Sequence, residues 1–361
     1  MLPDYFIIDL SETKASLLLE VLKLQTQKRP VELRGWSDEE SEVRSFLQCL
    51  PYISHLSFYW KTLYDQRNAA AVQFLVNLSV AAAEWDSTSG GRLAECLSSS
   101  CSHSSFPFTE NCETLCVNEM KHQFLSDFLL SLCVHLQSHE GETARRLLSS
   151  FQYFCKMLPD YFSIDLSKTK ASLLLEVLKL QTQKRPVELR GWSDEESEVR
   201  SFLQCLPYIS HLRLSQIRLQ KNPNEAFEFL LDLSMAAADS DCVSAAGESF
   251  SDLFSSVCNY STFPFGQEDN SKQSDLLLEL YSYMMGYESK HDRSLLSAFI
   301  QIYQSAPAVW SIDLSKTKAS LLLEVLKLQT QKRPVELRGW SDEESEVRSF
   351  LQCLPYISHL R

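Results

Sequence analysis

The sequence is short of positive charge: 34 Lys and Arg stand against 47 Asp and Glu, for a net charge of −13. Nucleic-acid backbones are bound by clustered basic residues, and no such cluster is visible here. Long apolar runs are also lacking. The stretch from Leu17 is broken by Glu20, Lys23 and Gln25, far short of a membrane span. Met1 is followed by Leu2, Pro3, Asp4 and Tyr5, without the basic start and apolar run of a secretory leader. These absences predict a cytoplasmic protein that engages neither nucleic acid nor membrane. Catalytic signatures are missing too: there is no phosphate loop, dinucleotide-binding glycine pattern, His-Glu-x-x-His or Gly-x-Ser-x-Gly elbow. The expectation is a non-enzymatic protein with no cofactor and no metal.

What is present is repetition. Ser311–Arg361 repeats Ser163–Arg213 letter for letter, and Met1–Leu56 copies Met157–Leu212 with Ile7 for Ser163 and Glu12 for Lys168. Such copies point to a repeat array, in which neighbouring units bury one another's apolar faces. The block boundaries read as 1–156, 157–309 and a partial, apparently truncated 310–361. The chain stops directly after the copied segment, so a fragment is one expectation. At 44% hydrophobic and 22% charged residues, the composition supports a folded core.

Within the middle copy, Ile164–Asp165–Leu166, Val187–Glu188–Leu189 and Leu212–Arg213–Leu214 each alternate apolar, polar, apolar, as half-buried strands do. They start about 24 residues apart, leaving room for a helix between each pair. The first helix is predicted over Thr169–Gln183, with Leu173, Val177 and Leu180 on one side. Ser193 and Glu196 read as a capping box opening the second, whose Val199, Phe202, Leu203 and Leu206 share a face. The fold class predicted is α/β: an irregular leucine-rich-repeat-like β/α solenoid, with short parallel strands on one side and helices on the other. An all-helical repeat scaffold is the alternative.

Between the copies, Val72–Ala83 and Phe227–Ala238 read as diverged counterparts and as helices, with another helical pair around Gln123–Leu132 and Asp275–Met285. Leu147, Leu148 and Phe151 match Leu295, Leu296 and Phe299. The Ser-, Gly- and Cys-rich stretch 87–113 and the polar stretch 266–273 are expected to be surface loops.

Residues between the inward strand positions point to the exposed sheet face. They define a mixed-charge ridge of Asp165, Glu188 and Arg213 flanked by Arg190 and His211, repeated as Asp313, Glu336 and Arg361 flanked by Arg338 and His359. Such a ridge suits recognition of a protein partner through complementary charge, or it is an ordinary solvated face. Trp36, Trp192 and Trp340 serve either as partner anchors or as packing at the strand–helix junction. Cys49, Cys205 and Cys353 share one apolar helical position and read as buried thiols. Cys96, Cys101, Cys112 and Cys116, with His103 and His122 nearby, have spacings loosely compatible with zinc, against a plain reading as loop cysteines. The recurring His55, His211 and His359 report duplication, since every neighbour was copied with them. An enzyme with an unrecognised site in the Ser- and Cys-rich loops is the remaining alternative.

The run Phe202–Ser215, FLQCLPYISHLRLS, resembles a ribonuclease-inhibitor-type leucine-rich repeat. The repeated VELRGWSDEESEVRSFLQCLPYISHLR is similar to leucine-rich regions of the NOD-like receptors expanded in bony fish. The family's asparagine after the strand is replaced here by Gly191 or Ser215. The resemblance implies ligand sensing or autoinhibitory contact by the repeat region of an innate immune receptor.

Overall fold

The computed structural model describes residues 5–64, 68–109, 115–138, 160–179, 181, 183–239, 247–266, 269–291 and 295–361. The chain is α/β and divides into two compact units, Met1–Phe162 and Ser163–Arg361.

Each copied segment folds as strand, helix, strand, helix, 3-10 turn, strand. In the first copy these are β1 (Phe6–Asp9), a helix over Ala15–Lys23, β2 (Arg29–Gly35), a helix over Glu40–Leu47, a turn over Leu50–Tyr52 and β3 (Ile53–Phe58). The second copy gives β4 (Phe162–Asp165), β5 (Arg185–Gly191) and β6 (Ile209–Leu214), and the third gives β7 (Trp310–Asp313), β8 (Arg333–Gly339) and β9 (Ile357–Leu360). Three separate three-stranded sheets result, in orders β1-β2-β3, β4-β5-β6 and β7-β8-β9. Every strand pair with a defined register is parallel. Parallel neighbours need a crossover, and the intervening helix supplies it. Phe6, Val31 and Leu56 stand side by side, as do Ile8, Leu33 and Phe58. These columns point toward the helices, and Val31, Leu33, Leu56 and Phe58 are fully buried.

The helix starts differ from the capping-box expectation. The residue preceding the second helix is Glu195, not Ser193, and it makes no side-chain cap. Ser193 lies two residues too early; its Oγ accepts from the Glu195 N–H at 3.2 Å, and Ser37 and Ser341 repeat this. The capping carboxylate is Glu198, and the helix it caps is the preceding one. Its Oε2 accepts from the buried Ala171 N–H at 2.8 Å, matched by Glu42 on Ala15 at 2.9 Å and Glu346 on Ala319 at 2.8 Å. The carbonyl of that same alanine takes the thiol of Cys49, Cys205 or Cys353 at 3.5–3.6 Å. One residue of the first helix thus has both backbone groups held, its N–H by the second helix and its carbonyl by the cysteine just after that helix, which fixes the two helices in register.

The first helix is also shorter than predicted. In the second copy it spans Ala171–Lys179, because Asp165 first turns the chain. The Asp165 carboxylate accepts from the Ser167 N–H at 3.2 Å and from the Ser167 hydroxyl, an Asx turn that delays the helix.

Most of the described residues between the sheets are helical. Asn68–Ser89 and Pro223–Asp239 contain the predicted pair, and each lies against the second helix of its copy. Phe74 meets Phe46 with ring centroids 5.9 Å apart, and Phe229 meets Phe202 at 6.0 Å. The helices Leu115–Ser138 and Asn270–His291 contain the other pair, and Phe299 is buried on the helix Leu296–Ser305. Leu147, Leu148 and Phe151 lie outside the described residues.

Among the described residues, the two stretches expected to be surface loops are so only in part. Leu93–Ser100 is a helix, and Leu97, Cys101, Phe106 and Phe108 are buried. Within 266–273, helix Asn270–His291 has already begun, and Gln273 is buried with its amide donating to the Ser261 and Phe263 carbonyls. The polar composition concealed a few well-spaced apolar residues, and packing follows those. The Phe-Pro-Phe segments then cover the outer sheet edges. Pro107 O accepts from the Phe58 N–H at 2.7 Å, and Pro264 O from Leu214 N–H at 2.9 Å. An edge strand exposes unpaired backbone groups, and these bonds satisfy them. A different residue finishes the task in each copy: His103 Nε2 donates to Leu56 O at 2.9 Å, while Tyr260 OH donates to Leu212 O at 2.6 Å.

Candidate functional site

The ridge sits on the sheet face turned away from the helices. In the second copy Glu188 and Arg213 are direct register partners across β5 and β6, both half-buried, between the buried Val187, Leu189, Leu212 and Leu214. The third member of this row is Ser163, whose hydroxyl donates to Glu188 Oε2 at 3.1 Å. Arg190 reaches over the neighbouring strand, its guanidinium 3.4 Å from the Ser163 carbonyl.

Asp165 is not part of the exposed ridge. The strand alternation that placed it there fails at a register shift, seen in the sister copies between Ile8 and Asp9 and between Ile312 and Asp313. Its carboxylate is buried, lies 3.5 Å from Lys168 and 4.0 Å from Arg218, and makes the Asx turn. Burial pushes this carboxyl up, but the Ser167 hydrogen bonds and the Lys168 cation outweigh it and hold it below its ordinary value. It packs where a side chain on Gly191 would stand: a Cβ there would be 2.0 Å from Asp165 Oδ1. Asp9 with Gly35 and Asp313 with Gly339 repeat the arrangement, at 2.1 and 2.3 Å. Only glycine permits this approach.

His211 is half-buried and meets Tyr260 edge-on, with centroids 4.9 Å apart. Burial, then the Arg213 cation, lowers its pKa, favouring neutral imidazole. In the third copy Glu336, Arg338 and His359 are exposed. Arg338 is nonetheless anchored, donating to the Ser311 carbonyl at 3.0 Å and to Asp275 at 2.6 Å. Asp275 lies on helix Asn270–His291, and no sequence signal linked it to the ridge.

The same row is closed in the first copy. Glu32 is buried, with Arg34 4.0 Å away, and burial pushes its carboxyl up while Arg34 and a hydrogen bond from Thr109 pull it down. The segment after Phe-Pro-Phe decides the difference. Thr109 follows that motif in the first copy and Gly266 in the second. A Cβ on Gly266 would come within 2.7 Å of the Arg213 guanidinium, whereas the residue at Arg213's position in the first copy is the small Ser57. With arginine and glycine at these positions Glu188 stays half-buried, and with serine and threonine Glu32 is buried.

Trp36 packs edge-on against Phe58 at 5.6 Å, the junction role, while Trp340 is exposed. Cys49, Cys205 and Cys353 are buried free thiols, pushed up by burial to about 12, about 12 and about 11. Of the four cysteines weighed for zinc, Cys101 is fully buried, its thiol raised by burial. Cys112 and the side chain of Cys116 lie outside the described residues. Among the described residues, no group of three or more His, Cys, Asp or Glu is placed to hold a metal ion. No helix among them is long and apolar enough to cross a membrane.

Comparison with protein-family models found no match. Comparison with curated proteins found none either.

Proposed function

We propose that this chain is a non-enzymatic protein-interaction scaffold of the leucine-rich-repeat-like β/α solenoid kind, acting in the cytoplasm. The observation that supports the reading is the pair Glu188 and Arg213, half-buried register partners of opposite charge above a sheet whose other face is fully packed. Charged side chains on a rigid parallel sheet lose little freedom on binding and select a partner by charge pattern. Glu188, Arg190, His211 and Arg213 form the recognition surface in the second copy; Glu336, Arg338 and His359 form its counterpart on the separate sheet of the third. Asp165 acts beneath them, holding the strand end. The resemblance to the repeat regions of NOD-like receptors gives the scaffold a ligand-sensing or autoinhibitory role, with a protein as the partner.

Charge reversal tests this. A Glu188→Lys, Arg190→Glu, Arg213→Glu variant is expected to keep the wild-type far-UV circular dichroism and lose the partners that wild type captures from cells. An unchanged capture profile would sink the ridge as a recognition surface.

A further inference from the structure

The first and second sheets have their outer edges closed by matching Phe-Pro-Phe straps, with a different residue making one bond of the closure. In the first, Pro107 O accepts from the Phe58 N–H at 2.7 Å, and His103 Nε2 donates to the Leu56 carbonyl at 2.9 Å. In the second, Pro264 O accepts from the Leu214 N–H at 2.9 Å, and Tyr260 OH donates to the Leu212 carbonyl at 2.6 Å. Each closing residue meets the copied strand histidine edge-on. His103 faces His55 with ring centroids 5.2 Å apart, and Tyr260 faces His211 at 4.9 Å. Burial holds the Tyr260 hydroxyl well above its ordinary value, so the second closure carries no charge there at neutral or acid pH. The first is built from two imidazoles, the side chain whose ordinary charge change falls between about pH 5 and 8.

We infer that His55 and His103 form a pH-sensitive latch: as neutral rings they hold the strap on the outer edge of the first sheet, and protonation of both releases it. With Nε2–H donating to Leu56, the neutral His103 ring presents Nδ1 to the Ser105 hydroxyl, 2.8 Å away. A proton on Nδ1 reverses that bond without breaking it, because a hydroxyl can accept as well as donate. What opposes the imidazolium is burial, since His103 is 8% exposed, together with a second cation on His55. His55 itself is exposed, with Nδ1 3.2 Å from Ser54 Oγ. Lys121 adds positive charge beside them: from helix Leu115–Ser138 its Nζ donates to the Ser104 carbonyl at 2.6 Å. Asp160 bears on Lys121, and Glu119 and His122 share its helix, His122 stacking on Tyr161 at 4.2 Å. Arg29, register partner of Ile53, is a further cation of the sheet. Glu32 is engaged by Arg34 at 4.0 Å and by Thr109, and Glu95, on the helix leading to His103, by Arg92 at 3.8 Å. Glu110 and Glu113 lie outside the described residues. The second proton enters the closed pair against repulsion and the released strap without it, so falling pH favours release. Release leaves the Leu56 carbonyl and the Phe58 N–H unpaired on an open strand edge. Neither histidine belongs to the charged surface proposed for partner recognition.

Hydrogen-exchange mass spectrometry on the full chain tests the latch, at about pH 7.5 and about pH 5, with labelling times scaled for the intrinsic pH dependence of exchange. Peptides over Ile53–Phe58 and Ile209–Leu214 are told apart by Ser57 and Phe58 against Arg213 and Leu214. Protection over the first is expected to fall about tenfold or more on acidification, and over the second by less than about threefold. His103→Tyr installs the second closure and should remove the fall. His55→Gln, at a position already in water, should remove most of it and leave protection at neutral pH unchanged. Circular dichroism at neutral pH checks that His103→Tyr folds; if it does not, His55→Gln decides by itself. The latch is overturned if wild-type protection over the first strand holds or rises in acid. It is equally overturned if both edges lose protection together, or if His55→Gln keeps the full fall.

Discussion

Removing the Glu42 carboxylate should loosen one helix start in a way that can be measured at a single site. Glu42 Oε2 accepts from the Ala15 N–H at 2.9 Å; Ala15 is fully buried, and the residue before it, Lys14, supplies no side-chain cap. In Glu42→Ala the donor has neither carboxylate nor water. A hydrogen bond to a charged group contributes about 1.5–3 kcal/mol. At about 1.4 kcal/mol per tenfold, amide exchange at the start of Ala15–Lys23 should accelerate about 10- to 100-fold. Hydrogen-exchange mass spectrometry resolves this copy because its peptide carries Glu12, where the second and third copies carry Lys168 and Lys316. Glu42→Gln keeps an acceptor without the charge and should show about half the loss in free energy. Exchange that changes less than threefold, or rises equally in all three copies, would refute the cross-helix cap.

Other perturbations follow from the same geometry. Gly35→Ala places a Cβ against the Asp9 carboxylate and should cost about 1–3 kcal/mol in urea denaturation; Asp9→Ala combined with it should recover much of the loss, and a strictly additive double mutant would contradict the contact. Asp165→Asn should lower Tm at neutral pH. The folded carboxyl titrates below its ordinary 3.8, so its stabilisation is present above that value and is lost as pH falls through the lowered one. The gap between variant and wild type should therefore close only in strong acid. Glu32 has the opposite sign: its folded pKa lies above the ordinary 4.5, so the ionised form is penalised once pH rises past it. Glu32→Gln should raise Tm at pH 7 and make no difference below about pH 4; a lower Tm at pH 7 would show that the Arg34 attraction exceeds the burial penalty.

Much of the secondary structure was legible because periodicity is a local signal. Alternation located the strands of the second copy, and leucine spacing located its helices. The helix start at Glu196 was misread because Ser193 has the chemistry of a cap, while its position is decided by how the chain leaves β5. Asp165 was misread because a register shift at the strand end breaks the two-residue alternation on which outward-facing assignments depend. The helix Leu93–Ser100, which buries Leu97, was masked by serine and glycine, since composition averages over the few residues that pack.

By itself the sequence determined the strand–helix order of each copy, because identical letters have identical local preferences. Tertiary structure decided everything that depends on a neighbour distant in the chain. Glu198 caps a helix that starts 27 residues earlier, and no local pattern encodes that partner. Glu32 is buried, Glu188 half-buried and Glu336 exposed, although their copied surroundings are the same. Thr109 hydrogen-bonds Glu32 in the first copy, where the second has Gly266, and the distant helices Asn68–Ser89 and Pro223–Asp239 lie against the helices that carry the buried Leu47 and Leu203. Burial belongs to the contact between two surfaces, so duplicating one surface does not duplicate its environment.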